Sequence, residues 1–367
     1  MERGSTSSSE ELTCFYQSGP KNINTNSINW EDDEHRRIIM ACLVQSVYVE
    51  TKELKLKKGQ NQARHWYDSF HFKQVEQLKH DSLLYGVVFK FDHSKAQSMG
   101  HQNLEKSPSY ILAFRGTENI FDMYHDMRLL FERLSQSDRI NQAIDKTKSI
   151  ILKNKEDRYR DKIWLTGHSL GASISTYVGL HIAEQDEYML KTFLFNPPFS
   201  DHTLLERIPK AALTEMLGIN HFILSRPIHS IKEGAKECAA NALKKFGIMK
   251  KMEYEGEEYK NIHKWIPYLF INTRDFICNG FVDHFEKGKN LEDVRPNGIW
   301  AFEIKDEKHH IPRIPWKIDK YFPHLLPSGY LVKNTKKIDK NFMSSHKISQ
   351  WWMINLPLES QVYTKDE

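Results

Sequence analysis

Short, dense apolar runs recur along this chain, separated by longer stretches in which apolar residues return every three or four positions. Leu83–Phe91, Tyr110–Phe114, Ile163–Leu165, Lys191–Phe195, Ile266–Ile271 and Tyr330–Val332 are runs of this kind. They predict strands, and because the apolar residues are continuous rather than alternating, strands covered on both faces. Between them, Ile38, Ile39, Cys42, Leu43 and Val47 recur at helical spacing and continue to Val49, behind Asp32 or Asp33 as a cap. Leu170, Ile174, Val178 and Ile182 do the same immediately after the Ile163–Leu165 run. Strand, helix and strand in that order predict a parallel sheet, hence an α/β fold with helices flanking a mostly parallel sheet.

The remaining stretches predict fewer regular elements. Residues 1–27 are polar and Ser/Asn-rich and read as an N-terminal tail, ended by Trp30; residues 357–367 read as a C-terminal tail. Between them, 28–356 reads as one domain. Lys52 to His80 reads as helical or irregular surface carrying the aromatic anchors Trp66, Tyr67, Phe70 and Phe72. From 200 to 266 the chain is charged and partly amphipathic, with Leu213, Met216, Leu217, Ile219, Phe222, Ile223 and Leu224. That block is an insertion between core strands, either a cap over a site or plain surface helices.

Composition narrows the class of partner. Lys plus Arg (52) against Asp plus Glu (48) leaves a charge of +4, and the basic residues alternate with acidic ones, so no stripe suited to nucleic acid exists. The basic runs Lys52 to Lys58 and Lys333 to Lys340 read first as solvated faces, and second as points of peripheral contact with an anionic membrane. Cys14, Cys42, Cys238 and Cys278 show neither disulfide nor zinc spacing. The N-terminus has no apolar core of a secretory signal, and no apolar stretch is long enough to span a bilayer, so the expected location is a reducing, cytoplasmic one.

The chemistry concentrates at Gly167-His168-Ser169-Leu170-Gly171, a glycine turn between a buried strand and a helix. This is the layout of a nucleophile elbow: Ser169 on a strained turn crowds its neighbours, and Gly167 and Gly171 stand two positions to either side. A bare G-x-S-x-G arises by chance in about one chain in eight of this length, so the apolar strand before it and the amphipathic helix after it carry the argument. The Leu170 N–H, at a helix N-terminus, could donate to an anion forming at an attacked carbonyl. The second apolar strand ends in Arg115-Gly116-Thr117, which either completes such an oxyanion hole through Thr117 or is an ordinary loop. Asp275 follows a late strand, where a histidine-orienting acid would sit; alternatively it caps the next helix, and Asp283 is the reserve. In chain order Ser, Asp, His, the base must follow Asp275, as His309, His310, His324 and His346 do. His324 is preferred because it lies in a Pro-flanked loop, whereas His346, near Trp351-Trp352, reads as a packing residue. Hydrolysis through these groups needs no metal and no organic cofactor.

Phe-Arg-Gly-Thr at 114 to 117 and Gly-His-Ser-Leu-Gly at 167 to 171 together resemble the class 3 (fungal-type) lipase family of α/β-hydrolases. A finer resemblance, to the plant lipase-like branch, rests on Glu34-His35-Arg36-Arg37, Phe193-Leu194-Phe195-Asn196-Pro197-Pro198-Phe199, Asp275-Phe276-Ile277-Cys278, His324-Leu325-Leu326-Pro327-Ser328 and Gln350-Trp351-Trp352. Ala172 departs from a commoner glycine, and the 200 to 266 insertion has no counterpart in the short secreted lipases. The resemblance implies an α/β-hydrolase fold, Ser169 as nucleophile, Asp275 as acid, His324 as base, Thr117 and Leu170 as oxyanion hole, and Asp126 as an acid supporting that loop. It implies an acyl or lipid ester as substrate, with a lipase-like regulatory protein lacking turnover as the alternative. Oligomeric state is left open.

Overall fold

The computed structural model describes residues 25, 27–56, 66–117, 138–154, 162–185, 188–199, 249–250, 262–287, 301–302, 326–336 and 342–364. Its centre is an eight-stranded sheet whose strands lie side by side in chain order, apart from a separate two-stranded pair, Met249–Lys250 with Ala301–Phe302. The strands are β1 (Phe72–His80), β2 (Leu83–Phe91), β3 (Tyr110–Phe114), β4 (Ile163–His168), β5 (Lys191–Phe195), β6 (Tyr268–Asn272), β7 (Gly329–Asn334) and β8 (Leu358–Tyr363). From β3 to β7 all pairings are parallel, while β1, β2 and β8 add antiparallel edges. The expected mixed, mostly parallel α/β sheet is therefore present.

The continuous apolar runs are explained by two cores, one on each face. Ile111 and Ala113 of β3, Trp164 of β4, Phe193 and Phe195 of β5, Phe270 of β6 and Val332 of β7 point to one side. They pack against α1 (Asp33–Leu56), which buries Ile38, Ile39, Met40, Ala41, Cys42, Leu43, Val44 and Val47. Asp32 starts that helix by accepting from the Glu34 and His35 N–H groups, at 2.7 and 3.3 Å. Leu112, Phe114, Leu165, Leu194, Leu269, Ile271 and Leu331 point to the opposite side. There they meet α4 (Asp138–Lys153), α5 (Leu170–Gln185) and α6 (Gly280–Lys287). Each fully buried side chain of this kind contributes about 1.5–3 kcal/mol, so the sheet is held from both sides and its strand ends are fixed platforms. Two short helices, α2 (Trp66–Ser69) and α3 (His93–Ser98), flank β1 and follow β2.

Two segments differ from their sequence reading. Phe72–His80, expected within a helical or irregular surface stretch, is β1, paired antiparallel with β2. Irregularities between Gln74 and Glu76 and between Leu78 and Lys79 break its two-residue alternation, so Phe72, Val75 and Leu78 fall at three-residue spacing and imitate a helix. Leu358–Tyr363, expected as a tail, forms β8 against β7. It is a mostly exposed edge strand, so it carries little apolar signal. Lys333, expected on a solvated basic face, donates to Glu286 at 2.5 Å and to Glu359 at 3.1 Å, and these contacts hold its pKa above the usual lysine value. Most of the 200 to 266 insertion lies outside the described residues.

Candidate active site

Parallel pairing from β3 to β7 brings the C-terminal ends of five strands to one edge, and there the candidate residues gather. β4 runs into Ser169, and α5 begins at the next residue. Ser169 has φ 55°, a left-handed conformation that side chains other than glycine rarely adopt. Its N–H donates to the Phe195 carbonyl at 3.0 Å, tying the turn to the end of β5. The two glycines are sterically required: a Cβ on Gly167 would lie 2.2 Å from the Gly171 oxygen, and one on Gly171 would lie 2.3 Å from the Phe114 oxygen. The second contact also shows how tightly the end of β3 is pressed against the elbow.

The loop after β3 is fixed through both backbone groups of Gly116. Arg115 donates through Nε to the Leu84 carbonyl and through Nη1 to the Gly116 carbonyl, both at 2.7 Å. The Gly116 N–H donates to the Tyr48 hydroxyl at 2.7 Å. A Cβ on Gly116 would sit 2.8 Å from the Ser169 Cβ, so this backbone packs directly on the serine. Thr117 comes next and is half-buried; the Leu170 N–H, in the first turn of α5, has no acceptor within its helix. Thr117 thus follows the residue that packs on the serine, and Leu170 follows the serine itself.

Asp275 follows β6 and is completely buried. Its Oδ1 accepts from the Ile277 N–H at 3.1 Å. Its Oδ2 accepts from Asn196 Nδ2 at 2.6 Å, from the Cys278 thiol at 3.2 Å and from His346 Nδ1 at 2.7 Å. Asp275 also accepts through its backbone carbonyl at the turn into α6, so capping geometry and a carboxylate on histidine coexist at one residue. Burial and the neighbouring Asp275 push the Cys278 thiol well above its ordinary pKa and keep it a neutral donor. Asp283, the reserve acid, is exposed on α6.

The histidine on Asp275 is His346, at the end of the short helix α7 (Phe342–His346). It is fully buried, and among the described residues its Nε2 has no hydrogen-bond partner. His324 lies outside the described residues, as does Asp126. A shell of amides holds the turn that carries His346. Gln350 Nε2 donates to the Ser345 and Lys347 carbonyls at 2.6 and 3.0 Å, while its Oε1 accepts from Asn272 and Asn334 at the ends of β6 and β7. Asn196 bridges the same turn to the acid, donating to the Ser345 carbonyl at 3.1 Å and accepting from Trp351 Nε1 at 2.5 Å. Sequence reasoning assigned no role to Tyr48, Asn196 or Gln350. Asn196 and Gln350 were visible in family-like segments, whereas Tyr48 was one residue in an apolar helix.

Three comparisons with known proteins place the chain among relatives. The family model described as Lipase (class 3) matches residues 111–212, which span β3, the loop carrying Thr117, the elbow and β5. That match covers the elbow and the loop before it, set in a mixed, mostly parallel α/β sheet, and the chain is similar to that family over this stretch. The chain is also 26% identical to a protein of Arabidopsis thaliana named GDSL esterase/lipase, over 96% of this chain and 98% of that one. Among solved structures, it is similar to a lipase from Rhizopus microsporus var. chinensis, with 15% identity, 45% of this chain and 58% of that chain covered, and a TM-score of 0.32. A second, ESTFA in its Fe-lacking apo form, is 12% identical over 70% of this chain and 84% of that one, with a TM-score of 0.30.

Proposed function

We propose that the chain is a serine hydrolase that cleaves carboxylic or lipid acyl esters through an acyl-enzyme, with Ser169 as nucleophile, His346 as base and Asp275 as acid. The observation that carries this reading is the state of His346: one ring nitrogen is held by a buried carboxylate at 2.7 Å, and the other is unpartnered among the described residues. An Nδ1–H given to Asp275 leaves the Nε2 lone pair available, which is the tautomer a general base needs. Nε2 takes the Ser169 hydroxyl proton as Oγ attacks the ester carbonyl, and Asp275 stabilises the imidazolium that results. Negative charge on the former carbonyl oxygen falls to the Leu170 N–H and Thr117. The tetrahedral species collapses, His346 returns the proton to the departing alcohol, and water repeats the sequence to release the acid.

The named relative and the class 3 lipase match support an ester as substrate. Among the described residues no helix is long and apolar enough to cross a membrane. The test is hydrolysis of a p-nitrophenyl ester series from acetate to palmitate, alongside covalent labelling by a fluorophosphonate, on the wild type and Ser169→Ala. Turnover and labelling of the wild type that both vanish in Ser169→Ala are the expected result. A folded wild type that neither labels nor turns over any ester would leave the chain as a lipase-like protein without this chemistry.

A further inference from the structure

Tyr48 lies in α1, far in sequence from the elbow, yet its hydroxyl sits between two pieces of the site. It accepts from the Gly116 N–H at 2.7 Å and lies 2.9 Å from His168 Nδ1. His168 Nε2 lies 2.7 Å from the backbone carbonyl of His346. The proton positions along this chain are forced. The Gly116 N–H can only donate and the His346 carbonyl can only accept. Tyr48 therefore spends its single hydroxyl hydrogen on His168 Nδ1, and His168 carries its own proton on Nε2. Burial, together with the neighbouring His346, holds His168 well below the ordinary imidazole pKa and keeps that neutral tautomer. A charged His168 would present a second N–H to Tyr48, whose hydroxyl would then accept from both Gly116 and His168 and turn its own hydrogen away from the relay.

We infer that Tyr48 and His168 form a positioning relay that sets the oxyanion loop and the backbone of His346 relative to each other across Ser169. This rests on the esterase reading above. The relay joins the three segments that must converge: the loop from Gly116 to Thr117, the elbow through His168, and the turn that carries His346. It explains why a histidine stands immediately before the nucleophile, where its side chain cannot reach the substrate carbonyl while it is engaged at both nitrogens. It also gives α1 a role beyond packing, through the Tyr48 hydroxyl.

The test is steady-state kinetics of the full chain with p-nitrophenyl butyrate, for wild type, Tyr48→Phe, His168→Phe and the double variant, each checked for folding by circular dichroism. Tyr48→Phe keeps the ring and deletes the link, so kcat should fall about 10- to 100-fold while KM stays within about threefold. His168→Phe should behave alike. The double variant should lose no more than about threefold beyond the worse single, because the second change cuts a chain already cut. A Tyr48→Phe variant with wild-type kcat, or losses that multiply in the double variant, would overturn the relay. Should His168→Phe not fold, Tyr48→Phe decides alone. A wild type without ester turnover or Ser169 labelling would remove the esterase reading and the relay with it, whereas an active wild type matched by Tyr48→Phe removes only the relay.

Discussion

Asp275→Asn probes the site at its most constrained point. Oδ1 of the carboxylate faces one donor, the Ile277 N–H, and Oδ2 faces three: Asn196 Nδ2, the Cys278 thiol and His346 Nδ1–H. An amide in place of the carboxylate must aim its NH₂ at one of these two sets. Turned toward Ile277, it opposes a backbone N–H; turned the other way, it opposes three donors. The first orientation is the lesser evil, and even so one buried donor pair goes unsatisfied and the charge that strengthened the other contacts is lost. At about 1–3 kcal/mol for each unsatisfied group, the variant should lose about 2–5 kcal/mol of stability. At roughly 2–4 °C per kcal/mol, that is a fall in Tm of about 4–20 °C. The catalytic loss should be larger, because His346 is no longer held in the Nδ1–H tautomer by a negative charge. Replacing the acid of a serine triad by its amide costs on the order of 10⁴ in kcat. Differential scanning calorimetry and p-nitrophenyl butyrate kinetics on the same preparation read both effects. A variant with kcat within tenfold of wild type would refute the claim that Asp275 orients the base.

Further outcomes follow from other contacts. Gly171→Ala should not give a stable protein, because its Cβ would fall 2.3 Å from the Phe114 backbone oxygen, and overpacking against backbone costs several times the usual ~1–3 kcal/mol; an expressed variant with wild-type Tm would contradict it. Gln350→Ala should lower kcat more than KM, since it frees the turn carrying His346 while leaving the substrate contacts alone, and equal shifts in both would argue for general loosening. Burial lowers the pKa of His168 and His284 below the ordinary value, and that of His101 to about 4. Each of these groups binds its proton more weakly folded than unfolded, so the stability present above pH 6.5 should be lost as pH falls toward about 4. A Tm unchanged between pH 7.5 and 4.5 would contradict that sign. Iodoacetamide should leave Cys42 and Cys278 unmodified in the native protein, because both thiols are buried with raised pKa, and mass spectrometry of the peptides checks it.

The central strands and the elbow were legible in the chain because burial on both faces leaves continuous apolar runs that need no long-range information. The glycines at 167 and 171 announced a steric need that the fold places at the Gly171 and Phe114 backbone. Asp275 was legible as a carboxylate after a late strand. The edge strands were hidden, β1 by irregular pairing and β8 by its polar, exposed character. The partner of Asp275 was hidden for a different reason. His346 reads as a packing residue from its aromatic surroundings, and those tryptophans do pack, with Trp351 completely buried. What local pattern cannot reveal is that Gln350 and Asn196 anchor the same turn and hold His346 over the end of β6. The Tyr48 contact spans 120 positions to His168, and His168 reaches another 178 to His346, distances at which only the folded sheet brings the groups together.

The most direct test of the account is the rate at which a fluorophosphonate labels Ser169 in His346→Ala and His324→Ala, measured side by side with the wild type. With His346 as the base on Asp275, His346→Ala should label at least about 10³-fold more slowly than wild type, and His324→Ala should stay within about tenfold. Fast labelling of His346→Ala, with His324→Ala folded and inert, would contradict the assignment and return the base to the loop at His324.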